Sequence, residues 1–161
     1  MKKYSAIIVT FFPNIEKLIN MIELLVSEKV YVVVVNNTPL DDLKLEIKCN
    51  NKNLNIINNN RNLGIAKAQN IAIKFLLEKS IYATFFFDQD SQLDNQLLTN
   101  LKKGLSPMIN IVSPVIIDKN TSREIPSLRV NKIGFSYKKF CMKNTEIQKT
   151  ELVISSGLLI K

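Results

Sequence analysis

Two carboxylates separated by one residue, Asp88 and Asp90, are the side chains of this sequence best placed to do chemistry. They follow a strongly apolar run, Ile81–Phe87, which predicts a buried strand. Carboxylates this close repel each other unless a cation or hydrogen bonds compensate. A divalent ion held there could also bind two phosphate oxygens and act as a Lewis acid on a departing diphosphate. Asp-x-Asp is also common in turns, so the tripeptide alone leaves both interpretations open.

The segment 60–70 is a second candidate site, for phosphate or nucleoside. Gly64 permits a positive φ where a loop enters a predicted helix, and the start of a helix offers unpaired N–H groups. Arg61 and Lys67 could contact a phosphate or a base, although a solvated loop explains the same residues. The chain lacks the glycine-rich fingerprints of dinucleotide enzymes and phosphate-loop ATPases, so neither class is supported.

The composition excludes several kinds of site. The chain has no histidine, which rules out hydrolysis through a histidine base and metal sites built on histidine. Any metal must therefore sit on oxygen ligands, which favours Mg²⁺ or Mn²⁺. Cys49 and Cys141 are far apart in the sequence, as expected for reduced thiols in a cytoplasmic protein rather than a zinc site.

The net charge of +8 is explained first by a lysine-rich solvated surface, and attraction to anionic partners is the alternative. The lysines are spread along the chain without the basic-aromatic pattern of a nucleic-acid module, so we expect no nucleic-acid partner. No apolar run approaches the roughly 20 residues that span a bilayer. We expect a cytoplasmic protein, with peripheral contact to the inner face of the cell membrane left open.

Strand and helix patterns alternate along the first two thirds of the chain, which predicts an α/β fold with a mostly parallel sheet flanked by helices. One domain, 1–161, is expected. Strands are predicted at Tyr4–Phe12, Val30–Val35, Leu54–Ile57, Ile81–Phe87, Met108–Ile117 and Glu151–Ile160. Helices are predicted at Asn14–Val26, Gly64–Leu76 and Asp94–Leu105, with a short one at Asp41–Cys49.

Polar residues follow several of these strands. Ligands bind beyond the carboxyl ends of the strands in such sheets, so we expect the polar residues to form one site. They are Thr10, Asn36, Asn37, Asn60–Asn62 and Asp88–Asp90.

Four ordered blocks resemble glycosyltransferase family 2: Ile7–Pro13, Val33–Thr38, Asn62–Asn70 and Phe87–Ser91. The Asp-Gln-Asp-Ser form of the last block and the stretch Ile154–Ile160 are similar to the rhamnosyltransferase-like branch. The resemblance covers essentially the whole chain. It implies a Rossmann-like nucleotide-diphospho-sugar transferase fold. It also implies an inverting enzyme that moves a sugar, rhamnose among the candidates, from a UDP- or dTDP-linked donor to a surface polysaccharide or lipid-linked acceptor.

The resemblance also implies roles for individual residues. The donor nucleotide would contact Thr10, Pro13, Asn36, Asn62 and Lys67. The metal and the diphosphate would be held by Asp88 and Asp90, with Mn²⁺ or Mg²⁺ as the cofactor. The donor sugar or the acceptor would approach Ser156 and Gly157.

Two departures from the family pattern matter. Asn36 takes the place of an aspartate that usually reads the pyrimidine base, so we expect altered base selection. The general base of inverting members lies downstream of the Ser-Gly stretch, and we expect this chain to lack it. The later acidic residues, none in the expected context, are Asp94, Asp118, Glu124, Glu146 and Glu151. The chain is then a part of a longer enzyme, truncated at its C-terminus, or a nucleotide-sugar-binding remnant without turnover.

A sugar nucleotidyltransferase is a third candidate, because such enzymes also use acidic metal ligands on a parallel sheet. They usually carry a glycine-rich, basic loop after the first strand. Here that position reads Phe11–Asn14, which argues against this class.

Overall fold

The computed structural model contains a six-stranded sheet with helices on both faces, and it describes residues 2–39, 51–118, 120–123, 127–131, 134–138, 150 and 156–161. The strands of the sheet are β1 (Tyr4–Thr10), β2 (Val30–Asn36), β3 (Leu54–Asn58), β4 (Ala83–Asp88), β5 (Ile111–Val112) and β8 (Leu158–Ile160). A separate antiparallel pair is formed by β6 (Ser127–Asn131) and β7 (Gly134–Lys138). The helices are α1 (Ile15–Ser27), α2 (Ile65–Leu77) and α3 (Asn95–Gly104).

The strand order is β3-β2-β1-β4-β8-β5, so the predicted mostly parallel α/β sheet is confirmed. β1, β2, β3 and β4 run parallel, whereas β8 runs antiparallel to both β4 and β5. From β1 the chain adds β2 and β3 on one side and then returns to place β4 on the other. This reversal leaves a crevice between the carboxyl ends of β1 and β4, which is where ligands bind in sheets of this kind.

The core has two layers because successive residues of a strand point to opposite faces of the sheet. On one face, Ile8 and Phe85 pack with the apolar stripes of α1 and α3. On the other, Ile7 and Phe86 pack against Ala68 and other residues of α2. The continuous apolar runs of β1, β2 and β4 follow from this burial on both sides.

The first residues of two predicted helices, Asn14 and Asp94, cap the starts of α1 and α3. The side chain of Asn14 accepts a hydrogen bond from Lys17 N at 3.0 Å and begins α1. Asp94 accepts one from Leu97 N at 2.6 Å and begins α3. Such caps satisfy N–H groups that a helix start leaves unpaired.

Three strand predictions were wrong in extent. β1 ends at Thr10 rather than Phe12, because the backbone turns there. The run Met108–Ile117 yields only the two residues of β5, since a turn precedes the strand and Pro114, which has no N–H, follows it. β8 begins at Leu158, because the sharp turn at Gly157 immediately precedes it.

The predicted helix at Asp41–Cys49 and the first part of the predicted strand Glu151–Ile160 lie outside the described residues. In the parts of the chain that the structure describes, no helix has the length and apolarity to cross a bilayer.

Candidate functional site

The carboxyl ends of β1, β2, β3 and β4 meet at one edge of the sheet, called the carboxyl edge below. Thr10 pairs with Asn36, which pairs in turn with Asn58 of β3. On the other side of β1, Val9 pairs with Asp88, the last residue of β4. The polar strand ends that the sequence places after separate strands are therefore neighbours in the structure.

Asn36 lies buried beneath this edge, and its side-chain amide is largely occupied by protein partners. Its Oδ1 accepts hydrogen bonds from Thr38 N at 3.0 Å and from the Thr10 hydroxyl at 3.4 Å. Its Nδ2 donates to Asn58 Oδ1 at 3.1 Å. An amide supplies both an acceptor and donors here, which a carboxylate cannot do. Asn36 thus ties β1, the loop after β2 and β3 together.

A second row of amides joins the same edge to α2. Asn59 Nδ2 donates to Asn37 Oδ1 at 2.8 Å, and Asn37 Nδ2 donates to the Gly64 carbonyl at 3.3 Å. Gly64 begins α2 with φ +76°, a conformation that favours glycine. The side chain of Asn62 accepts from Gly64 N at 2.9 Å, so Asn62 shapes this turn.

The other candidate nucleotide residues line the same edge. Lys67 is exposed in the first turn of α2, close along the chain to the exposed Arg61. Pro13 is half-buried in the loop between β1 and α1. Both positive side chains are therefore on the surface near the start of a helix, where free N–H groups favour anions.

The loop after β1 presents two aromatic rings to solvent. Phe11 is 44% exposed and Phe12 is 61% exposed, and their ring centroids lie 4.6 Å apart. Phe12 has φ +46°, an uncommon conformation for a bulky residue, and Thr38 Oγ1 accepts its N–H at 3.0 Å. Strained residues of this kind persist only where the surrounding structure holds them in place. They cluster at functional sites.

Gln89, the residue between the two aspartates, clamps this loop to the end of β4. Its Oε1 accepts from Phe11 N at 2.7 Å, and its Nε2 donates to the Phe11 carbonyl at 3.2 Å. One side-chain amide thereby satisfies both backbone groups of Phe11 beyond the end of the strand. Gln89 therefore bridges the crevice between β1 and β4. Its neighbours in the sequence, Asp88 and Asp90, take no part in these hydrogen bonds.

Asp88 and Asp90 are both exposed at this crevice, and the turn is closed by Ser91 N donating to the Asp88 carbonyl at 3.1 Å. Within the described residues, neither carboxylate makes a hydrogen bond or an ion pair. Two uncompensated carboxylates fit a divalent cation. The described residues contain no group of three acidic, cysteine or histidine side chains, so a cation held by this pair would need further ligands from outside them. Mg²⁺ is commonly bound in this way.

Ser156 and Gly157 reach the same region from the other end of the chain. The hydroxyls of Ser156 and Ser91 lie 3.5 Å apart, and Gly157 N donates to the Phe86 carbonyl at 2.8 Å. Gly157 has φ +78°, and a Cβ there would lie 2.9 Å from Pro114 Cγ. Glycine is therefore required both for the backbone conformation and for the close approach.

Two of the later acidic residues have structural partners. Asp94 caps α3, and Asp118 Oδ1 accepts from the N–H groups of Asn120 and Thr121 and from the Thr121 hydroxyl. The backbone hydrogen bond from Thr121 holds the pKa of Asp118 below its ordinary value. A carboxylate stabilised in its charged form is a weaker base. Glu124, Glu146 and Glu151 lie outside the described residues.

Sequence reasoning did not single out Gln89 or Thr38 as contributors to this edge. The signal for Gln89 was its position inside the Asp-x-Asp tripeptide, directly after a predicted buried strand. Its partner is 78 residues away in the sequence, so only the assembled sheet identifies the contact.

We expect Gln89→Met to lower the free energy of unfolding by about 1–2 kcal/mol, because methionine keeps the length but loses both hydrogen bonds to Phe11. Gln92→Met, in the exposed loop that follows, is the matched control and should change it by less than about 0.5 kcal/mol. Urea denaturation followed by circular dichroism measures both. Equal effects in the two variants would show that the hydrogen bonds between Gln89 and Phe11 do not stabilise the protein.

Comparison with solved structures identifies the fold class. The chain resembles the crystal structure of a 4-diphosphocytidyl-2C-methyl-D-erythritol synthase with a TM-score of 0.55 and 15% sequence identity, over 86% of this chain and 73% of that one. At this identity the likeness shows the fold alone. The class is an α/β nucleotide-sugar transferase-like fold with a mostly parallel sheet flanked by helices.

The sequence comparison is more specific. The model of the family described as "Glycosyl transferase family 2" matches residues 5–156, and the chain belongs to this family. It is 35% identical over 156 residues to a dTDP-rhamnosyl transferase, RfbF, of Shigella flexneri. The alignment covers 96% of this chain and 52% of that protein, so the chain spans about half the length of this relative.

Proposed function

We propose that this chain forms the donor-binding part of an inverting glycosyltransferase that takes a sugar, rhamnose, from a dTDP-linked donor. The observation that carries the proposal is the exposed pair Asp88 and Asp90 beside the buried Thr10–Asn36 network, at the reversal of strand order in a family 2 chain. The acceptor is a surface polysaccharide or a lipid-linked saccharide, and residues 1–161 form one domain of the enzyme.

The diphosphate of the donor binds beside Asp88 and Asp90, the two residues that would hold Mg²⁺ or Mn²⁺. The uncompensated charge of both side chains supports this role. When bound, the cation offsets the negative charge that develops on the departing nucleoside diphosphate. The protein's own contribution is to hold both carboxylates at a fixed spacing, through the Ser91 turn and the Gln89 clamp.

The nucleoside lies over the edge formed by Thr10, Pro13, Asn36, Asn62 and Lys67. Because Asn36 Oδ1 already accepts two hydrogen bonds, we propose that Asn36 shapes the floor of the base site rather than accepting the pyrimidine N–H. The exposed rings of Phe11 and Phe12 offer a stacking surface for the base. Ser156 and Gly157 approach the donor sugar or the acceptor, which the 3.5 Å separation of the Ser156 and Ser91 hydroxyls supports.

A thermal-shift titration tests this proposal, because a ligand that binds only the folded chain must raise its apparent stability. The panel is dTDP, dTDP-rhamnose, UDP and UDP-glucose, each with Mg²⁺, with Mn²⁺ and with a chelator. We expect the largest rise for the dTDP compounds, in the presence of metal. Absence of any shift across the panel would overturn the donor-site assignment.

A donor-binding module without turnover is the second candidate, and a specific observation favours it. Of the later acidic residues that the structure describes, Asp94 and Asp118 each accept local hydrogen bonds, which points to structural roles rather than to a general base. Release of dTDP from dTDP-rhamnose in the presence of an acceptor saccharide, catalysed by the 161-residue chain, would contradict this candidate. For either candidate we propose a cytoplasmic location with peripheral contact at the inner face of the cell membrane.

A further inference from the structure

The edge of the sheet opposite the candidate donor site carries a concentration of positive charge. This amino edge is formed by the starts of the parallel strands and the ends of the helices. Four of its lysines precede the first three strands: Lys2, Lys3, Lys29 and Lys52. Four more follow α2, end α3 or follow β8, which reaches this edge because it is antiparallel: Lys79, Lys102, Lys103 and Lys161.

The charge is segregated between the two edges. Among the described residues at the amino edge, eight lysines face two glutamates, Glu28 and Glu78, of which Glu28 is 3.7 Å from Lys102 Nζ. The carboxyl edge is mixed, with acidic and basic side chains in similar numbers around the starts of α1, α2 and α3. Among the described residues, positive charge is therefore concentrated on one surface. Such a surface produces a field that attracts an extended anionic partner.

Tyrosine rings hold several of these lysines in one cluster. Lys2 Nζ lies 4.2 Å from the Tyr82 ring centroid and Lys161 Nζ lies 5.9 Å from it, while Lys102 Nζ is 5.3 Å from the Tyr4 centroid. The two rings meet edge to face at 5.8 Å. The hydrogen bond from Lys2 to the Tyr82 hydroxyl raises the pKa of Lys2 above its ordinary value.

Two large apolar side chains protrude from the same edge. Leu77, the last residue of α2, is 78% exposed, and Met108, in the turn between α3 and β5, is 91% exposed. Lysines that serve only to solvate the surface would not need exposed apolar side chains beside them. Basic side chains combined with protruding aliphatic ones suit a lipid surface, where the lysines meet headgroups and the apolar side chains enter the acyl boundary.

We infer that the amino edge docks this chain on an anionic phospholipid surface, with the carboxyl edge turned toward the solution that contains the nucleotide sugar. The inference rests on the proposed peripheral membrane contact and assigns it to a surface. Nucleic acid fits this edge less well, because its protruding side chains, Leu77 and Met108, are aliphatic, while the rings of Tyr4 and Tyr82 pack against each other. Vesicle binding needs no nucleotide, so its failure is distinguishable from failure of the donor site.

The test is sedimentation of the chain with vesicles of phosphatidylcholine alone and of phosphatidylcholine with phosphatidylglycerol. We expect binding only to the anionic vesicles, weakening as salt is raised. The variant Lys3→Gln with Lys103→Gln should bind about 30-fold more weakly. Its matched control, Lys17→Gln with Arg123→Gln, removes the same charge away from this edge and should bind like the wild type.

A second pair of variants tests the apolar contribution. Leu77→Ser with Met108→Ser should weaken binding roughly tenfold, whereas Val115→Ser, an exposed apolar residue beyond β5, should not. Circular dichroism verifies that each variant folds. Equal losses in the two charge variants, no binding to anionic vesicles, or binding of DNA in their place would overturn the inference.

Discussion

We expect the Asp90→Asn chain to retain its fold but to lose the metal-dependent part of the proposed dTDP binding. Asparagine keeps the size of the side chain and removes the charge, while Asp88 and the turn closed by Ser91 remain. Loss of an outer partner of a metal ligand typically weakens metal binding by 10–100-fold, and removal of a ligand itself should cost at least about that much. Calorimetric titration of dTDP, with Mn²⁺ and with a chelator, measures the effect.

Glu16→Gln is the matched control for this change. Glu16 is exposed in the first turn of α1, at the same edge of the sheet, so the variant loses the same charge without touching the Asp-Gln-Asp turn. It should bind metal and dTDP as the wild type does. If both variants lost affinity equally, general electrostatics at the edge would explain the binding and the aspartate pair would not be a specific metal site.

Phe85→Ala should lower the free energy of unfolding by about 3–5 kcal/mol, the usual range for removing a buried aromatic ring. Phe85 is fully buried in β4, and its ring centroid lies 5.6 Å from that of Phe87 and 6.2 Å from that of Tyr4. The substitution would leave a cavity in the core on the face of β4 that packs against α1 and α3. Urea denaturation followed by circular dichroism provides the measurement.

Phe12→Ala makes the same chemical change at an exposed ring and should alter stability by only about 0.5 kcal/mol. It should instead weaken dTDP binding, since it removes part of the proposed stacking surface. The two variants thus distinguish a loss of folding stability from a loss of dTDP binding. Loss of stability in Phe12→Ala comparable with that in Phe85→Ala would place Phe12 in the core and remove its proposed role at the nucleoside.

The parallel part of the sheet could be predicted because strands that are buried on both faces have continuously apolar sequences. The runs that became β1, β2 and β4 are continuously apolar, and the helices between them carry one apolar stripe each. The carboxyl ends of such strands share one edge, so the neighbourhood of Thr10, Asn36 and Asp88 followed from the alternation alone.

The remaining features depend on contacts that periodicity does not record. An apolar run indicates burial but not direction, which is why the antiparallel β8 was not foreseen. Phe11 and Phe12 extend the apolar run of β1 in the sequence. In the structure their N–H groups donate hydrogen bonds to the side chains of Gln89 and Thr38, and the backbone turns away from the sheet. The engaged amide of Asn36 is likewise a property of its partners and not of its residue type.

Mapping of dTDP and Mg²⁺ onto the isotope-labelled chain by amide NMR shifts tests the central claim most directly. The account predicts shifts at the carboxyl edge, at the amides of Phe11, Gly64 and Ser91, and none at Lys3 or Lys79 on the amino edge. Replacing Mg²⁺ with paramagnetic Mn²⁺ should broaden the signals of residues 88–91 first. Shifts confined to the amino edge, or no shifts at a saturating concentration of dTDP, would contradict the assignment of a nucleotide site to this edge of the sheet.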